Sequence, residues 1–142
     1  MATAHSNLSD FNPNEVPSGQ NYKVAIVVSE WNSQITEGLF LGAKEALIAC
    51  GMQEENILRS NVPGSFELVF GAKKALTKAV DAVIVIGSVI QGETKHFDFV
   101  CQGVTQGIVS LNLSSDRPVV FCVLTDNTLQ QAIDRSGGQH GN

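Results

Sequence analysis

AVIVIGSVIQGETKHF, residues 82–97, joins an apolar run to a polar loop and then to the start of a helical pattern. The run Ala82–Ile86 is rich in β-branched residues and predicts a strand that is buried on both faces. The loop Gly87–His96 carries glycines together with Glu93 and His96, whereas a loop that only reverses the chain needs about two to six residues and little chemistry. Because ligands bind beyond the carboxyl ends of parallel strands, this stretch predicts both a parallel sheet and a site at its edge.

The same alternation of strand and helix patterns continues on both sides of this stretch. Strands are predicted over 23–29, 56–62, 82–86 and 118–124, and helices over 33–50, 66–79, 97–111 and 127–135. Gly51 is a natural residue to follow the first helix, and the apolar stripe of the second helix is predicted to comprise Phe66, Val69, Phe70 and Leu76. The order β-α-β-α-β-α-β-α predicts a parallel sheet with helices on both faces, in which the polar second strand lies near an edge.

Composition narrows the classes of partner. The chain is 43% hydrophobic and 16% charged with a net charge of −5, which argues against nucleic acid. The apolar stretch around the third strand is broken by Asp81 and Gly87, so no segment is predicted to span a membrane. The polar residues 1–21 lack the apolar core of a signal peptide, and they predict an arm that is disordered or docked on another surface. The domain proper is predicted to occupy residues 22–142.

The cysteines favour a reducing compartment. Cys50, Cys101 and Cys122 lie in apolar segments, and none belongs to a CxxC pair. An odd number of such cysteines predicts reduced core thiols and a cytoplasmic location. The sequence contains no metal-ligand spacing, no GxGxxG or P-loop and no nucleophile elbow, so no metal or nucleotide cofactor is expected.

The parallel topology brings four strand-to-helix loops to one edge of the sheet, at residues 29–33, 61–65, 87–96 and 124–127. Trp31 suits stacking on a planar heterocycle, or it closes the sheet edge. Pro63–Glu67 frees backbone N–H groups at a helix start, where they bind carbonyls or anions or are simply capped.

Three further sets of residues are candidates for proton transfer or anion binding. Histidine titrates near neutral pH, which makes His96 a candidate for proton transfer, although a lone histidine at a helix start is often incidental. Glu93 and Thr94 offer backbone N–H groups near the start of the third helix. Arg135 can grip a phosphate through two parallel hydrogen bonds or stabilise a helix C-terminus.

Five motifs, in order, resemble the 6,7-dimethyl-8-ribityllumazine synthase family of riboflavin biosynthesis. They are Trp31-Asn32, Val62–Glu67, Gly87–Asp98, Pro118–Phe121 followed by Leu124-Thr125, and Gln131–Gly138. The resemblance covers roughly residues 22–142 and implies a flavodoxin-like three-layer α/β/α sandwich with a four-stranded parallel sheet. It implies a transferase that condenses 5-amino-6-(D-ribitylamino)uracil with 3,4-dihydroxy-2-butanone 4-phosphate, releases phosphate and water, and uses no metal or cofactor.

The resemblance also implies a role for each matching residue. Trp31 stacks on the pyrimidine, Asn32 also binds the uracil or ribityl part of the substrate, and His96 is the catalytic proton shuttle. The uracil and the ribityl group are held around Ser65, Phe66, Glu67, Ser88, Val89 and Ile90. Glu93 and Thr94 meet the phosphate, while a neighbouring subunit supplies Arg135 to the phosphate and Phe121 to the heterocycle. The expected assembly is therefore a homo-oligomer, a pentamer that often builds an icosahedral shell, in which the N-terminal arm adds to a neighbour's sheet.

The sequence departs from the family pattern in three places. Family members usually continue past the equivalent of Asn142 with a lysine and a final helix, so this sequence is expected to be a shortened form or part of a longer chain. Val69 stands where proline is common, and Cys122 where glycine is common.

The alternative function is a non-catalytic lumazine- or flavin-binding or shell-forming protein on the same fold. Such a protein could lose His96 and Arg135, and the presence of both favours the enzyme.

Overall fold

The structure is a computed structural model that describes Asn7 and residues 9–142. Its elements are β1 (Val24–Ser29), α1 (Ser33–Ala49), β2 (Ile57–Val62), α2 (Leu68–Ala75), β3 (Ala82–Ile90), α3 (His96–Ser114), β4 (Val119–Asp126) and α4 (Leu129–Asp134). Short 3-10 helices lie at Pro13–Glu15 and Glu54–Asn56. The arm predicted over residues 1–21 lies partly outside the described residues. Its described part contacts the domain where the Gly19 backbone N–H donates to the Cys50 carbonyl at 2.7 Å.

The four strands form one parallel sheet, as predicted, and their order across the sheet is β2-β1-β3-β4. The polar β2 lies at one edge, and β1 and β3 occupy the centre. Since β3 pairs with β4 from Val83 opposite Val119 to Ile90 opposite Asp126, the carboxyl ends of these two strands lie side by side. All four strands point the same way, and their carboxyl ends share one edge of the sheet.

Alternate strand residues point to opposite faces of the sheet and build two separate cores. On one face, Ala25, Val27, Val83 and Val85 join Leu68, Ala72 and Ala75 of α2 and Val104 and Ile108 of α3. On the other, Val24, Ile26, Val28 and Ile86 join Ile35 and Leu39 of α1 and Ala132 of α4. The two cores confirm the flavodoxin-like three-layer α/β/α arrangement.

The third strand is longer than predicted. It continues from Ile86 through Gly87, Ser88 and Val89 to Ile90, so the loop before α3 is only residues 91–95. Glycine and serine suggested a loop, but pairing with β4 supplies hydrogen bonds for the backbone as far as Ile90. The strand therefore carries its own residues directly into the site at the sheet edge.

The second helix begins later than predicted, and only part of its predicted apolar stripe packs on the core. It spans Leu68–Ala75 instead of 66–79, and its buried residues are Leu68, Ala72 and Ala75. Phe66 and Phe70, placed in the predicted apolar stripe, are 57% and 63% exposed. The prediction was wrong for these two residues, because Phe66 precedes the helix and Phe70 lies off the face that Leu68, Ala72 and Ala75 bury. It was right for Val69 and Leu76, which are partly buried and pack against the core.

All three cysteines are free thiols, and each is partly buried. Burial raises the pKa of the Cys122 thiol to about 11, which leaves it protonated and unreactive near neutral pH. Of the helices in the described part of the chain, none is long and apolar enough to cross a membrane.

Gly87 gives the first testable prediction. A Cβ atom there would lie 2.6 Å from the Ser65 Oγ and 2.8 Å from the Leu68 Cδ1, whereas a Cβ at Gly92 would meet nothing within 4 Å. We expect Gly87→Ala to lower the free energy of unfolding by about 1–3 kcal/mol through overpacking, and Gly92→Ala to change it little. Urea denaturation at matched protein concentration measures both, and equal stability of the two variants would contradict this account of the packing.

Candidate active site

A pocket of about 680 Å³ opens at the carboxyl edge of the sheet, where three of the four strand-to-helix connections meet. Most of its lining comes from the residues predicted for the site, namely Trp31, Asn32, Ser65, Phe66, Glu67, Ser88, Val89, Ile90, Thr94 and His96. Pro63, Gly64, Gly92, Phe97, Phe99 and Val100 complete it. Glu93, Phe121 and Arg135 are not among the lining residues of this single chain.

The connection after β1 supplies an aromatic wall. Trp31 is 72% exposed, and its backbone N–H donates to the Pro63 carbonyl at 3.1 Å. Asn32 adopts a left-handed backbone with φ of 60°, and its side-chain amide donates to the Ser88 carbonyl at 3.0 Å. These two hydrogen bonds join the connection after β1 to the connection after β2 and to the end of β3. The indole is therefore held at the pocket mouth with most of its surface free.

The second wall is the segment before α2. Ser65 is buried, and its carbonyl accepts the Leu68 N–H at 3.2 Å, which turns the chain into the helix. Phe66 packs close to Gly103 of α3, where a Cβ atom would lie 2.6 Å from the ring. The Ser65 hydroxyl has no hydrogen-bond partner among the described residues, and the same is true of the buried Ser88 hydroxyl. Two buried hydroxyl groups at the pocket are thus left for water or a ligand.

The third wall runs from the end of β3 to the first residue of α3. The Gln91 N–H donates to the Asp126 carbonyl at 2.9 Å, which anchors the start of loop 91–95 to the end of β4. The backbone N–H groups of Glu93 and Thr94 donate to no residue in the part of the chain that the structure describes. His96 begins α3 with an exposed side chain, and its N–H lies 3.4 Å from the Thr94 Oγ1. Thr94 and His96 line the pocket, whereas Glu93 does not. A backbone donor without a partner near a helix start suits an anion, and the imidazole beside it suits proton transfer.

Phe121 and Arg135 lie outside this pocket. Phe121 is on the edge strand β4 and is 40% exposed. Arg135 directly follows α4, where its Nη1 donates to the Gln131 carbonyl at 2.9 Å and lies 4.0 Å from the Asp126 Oδ1. Burial raises the pKa of the Asp126 carboxyl, and the positive charge of Arg135 opposes that rise. Neither residue therefore lines the pocket of its own chain.

Phe99 is a lining residue that sequence reasoning missed. It is 67% exposed and lies on α3 beside Phe97 and Val100, which were expected only as packing residues. The sequence contains a signal for Phe99, because an aromatic residue off the apolar stripe of an amphipathic helix must face something other than the core. With Trp31 and Phe66, it adds an aromatic surface to the pocket lining, which suits a flat heterocycle.

The described residues contain no group of three or more histidine, cysteine, aspartate or glutamate side chains that could hold a metal ion. A second cavity, of about 530 Å³, lies along α1, and its lining includes a single charged side chain, Glu45. The chemistry-bearing side chains therefore concentrate at the first pocket.

Comparison with known proteins gives one consistent result. A family model described as 6,7-dimethyl-8-ribityllumazine synthase matches residues 21–142. A protein of that name from Flavobacterium johnsoniae is 65% identical over 143 aligned residues, which cover 100% of this chain and 75% of the relative. Relatives of the same name from Flavobacterium psychrophilum and Christiangramia forsetii are 61% and 58% identical, with all of this chain and 76% and 86% of the relatives covered.

Proposed function

This chain belongs to the 6,7-dimethyl-8-ribityllumazine synthase family, and we propose how its residues carry out that reaction. It is a transferase of riboflavin biosynthesis that condenses 5-amino-6-(D-ribitylamino)uracil with 3,4-dihydroxy-2-butanone 4-phosphate. The observation that carries the residue assignment is the pocket itself, in which an aromatic wall, unpaired buried hydroxyls and an imidazole surround one space. A non-catalytic binding or shell-forming role is not favoured, because the relatives named as the enzyme match the whole chain.

The pyrimidine occupies the aromatic half of the pocket in this proposal. Trp31 stacks on one face of the ring, and Asn32 keeps the end of β3 in place through its hydrogen bond to Ser88. Ring and ribityl polar groups bind along Ser65–Glu67 and Ser88–Ile90. Support comes from the Ser65 and Ser88 hydroxyls, since a buried hydroxyl without a partner costs free energy that a bound polar ligand recovers.

The butanone phosphate binds at the loop before α3. The free N–H groups of Glu93 and Thr94 point to a bound anion near a helix start, where the helix dipole also favours negative charge. Arg135 of a neighbouring subunit completes the phosphate site, and the neighbour's Phe121 covers the heterocycle. Support for the neighbour's part is that Arg135 and Phe121 of the same chain lie outside the pocket they are expected to serve.

The chemistry then needs proton transfers at one place. The 5-amine of the uracil attacks the ketone, and loss of water leaves an imine. Abstraction of a proton and breakage of the C–O bond release phosphate, and the resulting enol becomes a ketone that the second amine attacks to close the ring. A final loss of water gives the lumazine. An imidazole near neutral pH can donate and accept these protons, which assigns His96 as the shuttle.

A site that two subunits share requires the chain to form an oligomer. We propose a homo-oligomer built from pentamers, which an icosahedral shell would extend. Large apolar side chains are exposed on α2, α3 and β4, including Phe70, Phe99, Val109, Leu113, Val120 and Phe121. Contiguous exposed apolar surface marks interaction sites, so these side chains are proposed as contacts between subunits. The arm is proposed to dock on a neighbouring subunit, where its half-exposed Phe11 and Val16 would be covered. The three free thiols favour the cytoplasm as the cellular location of the protein.

One assay tests the function of this chain as it stands. Purified protein is mixed with the two substrates, and the appearance of the lumazine is followed against the rate without protein. We expect saturable acceleration that depends on the concentration of both substrates. A rate equal to the uncatalysed one, from protein that is folded and assembled, would contradict the assignment.

Trp31 provides a separate prediction for the pyrimidine site. Trp31→Ala removes the stacking surface, which is worth about 0.5–1.5 kcal/mol beyond burial, so we expect the KM for the diaminouracil to rise roughly three- to tenfold. Trp31→Phe keeps an aromatic face and is the matched control. The KM for the butanone phosphate should change little in either variant, and a selective rise in that constant would place the indole at the other substrate.

A further inference from the structure

Asp126 is a buried carboxylate that the proposed reaction does not use. It is the last residue of β4 and is 7% exposed. Strand alternation places its side chain on the same face of the sheet as Cys122 and Leu124, which pack under α1 and α4. A carboxylate so deeply buried needs a partner of opposite charge, because the desolvation of a lone charge is costly.

The only cation that the structure gives this carboxylate among the described residues is Arg135. The Asp126 Oδ1 lies 4.0 Å from the Arg135 Nη1, and the Oδ2 makes no hydrogen bond within the described part of the chain. The carboxylate charge is therefore not committed to another group. Burial raises the Asp126 pKa while Arg135 lowers it, so the guanidinium favours the charged form of its partner.

The contacts of Arg135 are confined to one side of its guanidinium. Nη1 donates to the Gln131 carbonyl and faces Asp126, whereas Nε and Nη2 donate to no residue that the structure describes. A phosphate is gripped most strongly by two parallel N–H donors. The Nε and Nη2 donors form such a pair, and they stay available only while the Nη1 side is held.

We propose that Asp126 is a positioning residue that holds Arg135 by its Nη1 side so that the opposite edge of the guanidinium can bind the substrate phosphate. This inference rests on the proposed phosphate-binding function of Arg135. Asp126 acts through Arg135 and does not touch the substrate. The Asp126 backbone adds to this link, because its carbonyl also anchors Gln91 at the start of the loop that carries Glu93 and Thr94.

The test is Asp126→Asn in the full chain, which keeps the size of the side chain and the backbone hydrogen bond but removes the charge. We expect the KM for the butanone phosphate to rise roughly three- to tenfold, with kcat and the KM for the diaminouracil within about twofold, as is typical of coupling between contacting residues. The inhibition constant of inorganic phosphate should rise by the same factor. Asp126→Glu keeps the charge and should hold these constants near those of the unmodified protein.

A double-mutant cycle with Arg135→Gln separates this inference from its premise. If Arg135 binds phosphate and Asp126 positions it, Asp126→Asn adds no further loss once Arg135 is replaced. An undiminished loss in that background, or an unchanged phosphate constant in Asp126→Asn alone, would overturn the positioning role. Should Arg135→Gln itself leave the phosphate constants unchanged, the proposed function of Arg135 would fail first, independently of Asp126.

Discussion

The His96→Ala variant is expected to lose about 10²-fold in kcat while remaining folded, assembled and measurably active. General acid–base catalysis by a positioned side chain typically contributes ~10²–10⁴-fold, and the lower end applies because water and the substrate phosphate can also carry protons. The remaining acceleration comes from holding two reactants together, which can supply up to about 7–11 kcal/mol. Single-turnover and steady-state assays of lumazine formation measure both contributions.

His140→Ala is the matched control, because this second described histidine lies outside the pocket and only its backbone N–H has a recorded partner, the Asp134 carbonyl at 2.7 Å. It should keep kcat within about twofold, as is usual for substitutions away from a site. Added imidazole should partly restore His96→Ala, since the exposed side chain leaves an open space at the start of α3. A complete loss of activity in folded, assembled His96→Ala would contradict a shuttle role and would mean that the imidazole holds a substrate.

The sequence was most informative where local pattern and tertiary environment agree. Val24–Val28 is a continuous apolar run that is β-branched except at Ala25, and it lies at the centre of the sheet with a helical layer on each face. Gly51 follows α1 with φ of 90°, a conformation that glycine adopts freely. Both features depend on residues close in sequence or on burial that composition already signals, so they could be predicted without knowledge of the fold.

Prediction failed where distant pairing decides the structure. Gly87 and Ser88 have loop-like composition, but β4 pairs with them and extends β3 to Ile90. Phe66 has the spacing of a helix core residue, although the helix begins only at Leu68 and leaves this ring at the pocket. Asp126 follows an apolar strand like an ordinary loop carboxylate, and nothing local shows that it is buried beside Arg135. Each case depends on a contact that the local sequence pattern does not show.

Local pattern and topology predict the site residues that one chain supplies, but they do not predict those that a neighbouring subunit is proposed to supply. Topology alone places Trp31, Ser65 and His96 at one edge, and the structure brings them into one pocket. The topology of one chain does not place Phe121 and Arg135 there, and only the family resemblance assigns them to the site, because neither residue lines the pocket of its own chain. If those residues serve a neighbour's pocket, the functional unit is the interface between two subunits, and a property of mixed assemblies should reveal it.

Mixing two impaired variants is therefore expected to restore activity. His96→Ala is slow in proton transfer, and Arg135→Ala should bind the butanone phosphate roughly 10- to 150-fold more weakly, because a hydrogen bond to a charged group is worth about 1.5–3 kcal/mol. When the two are unfolded together in equal amounts and reassembled, each site takes its His96 from one subunit and its Arg135 from the next. Random assembly then leaves about a quarter of the sites with both residues intact.

The expected recovery is about a quarter of the unmodified specific activity, measured below the KM for the butanone phosphate, whereas each variant alone stays near its own low value. The same two proteins refolded separately and then combined are the control, since intact oligomers exchange no subunits during a short assay. A double variant, His96→Ala with Arg135→Ala, mixed with unmodified protein gives a second reference for dilution. If both side chains served the pocket of their own chain, no mixed site could contain the pair. Activity of the co-refolded sample at the average of the two variants would then exclude a shared site.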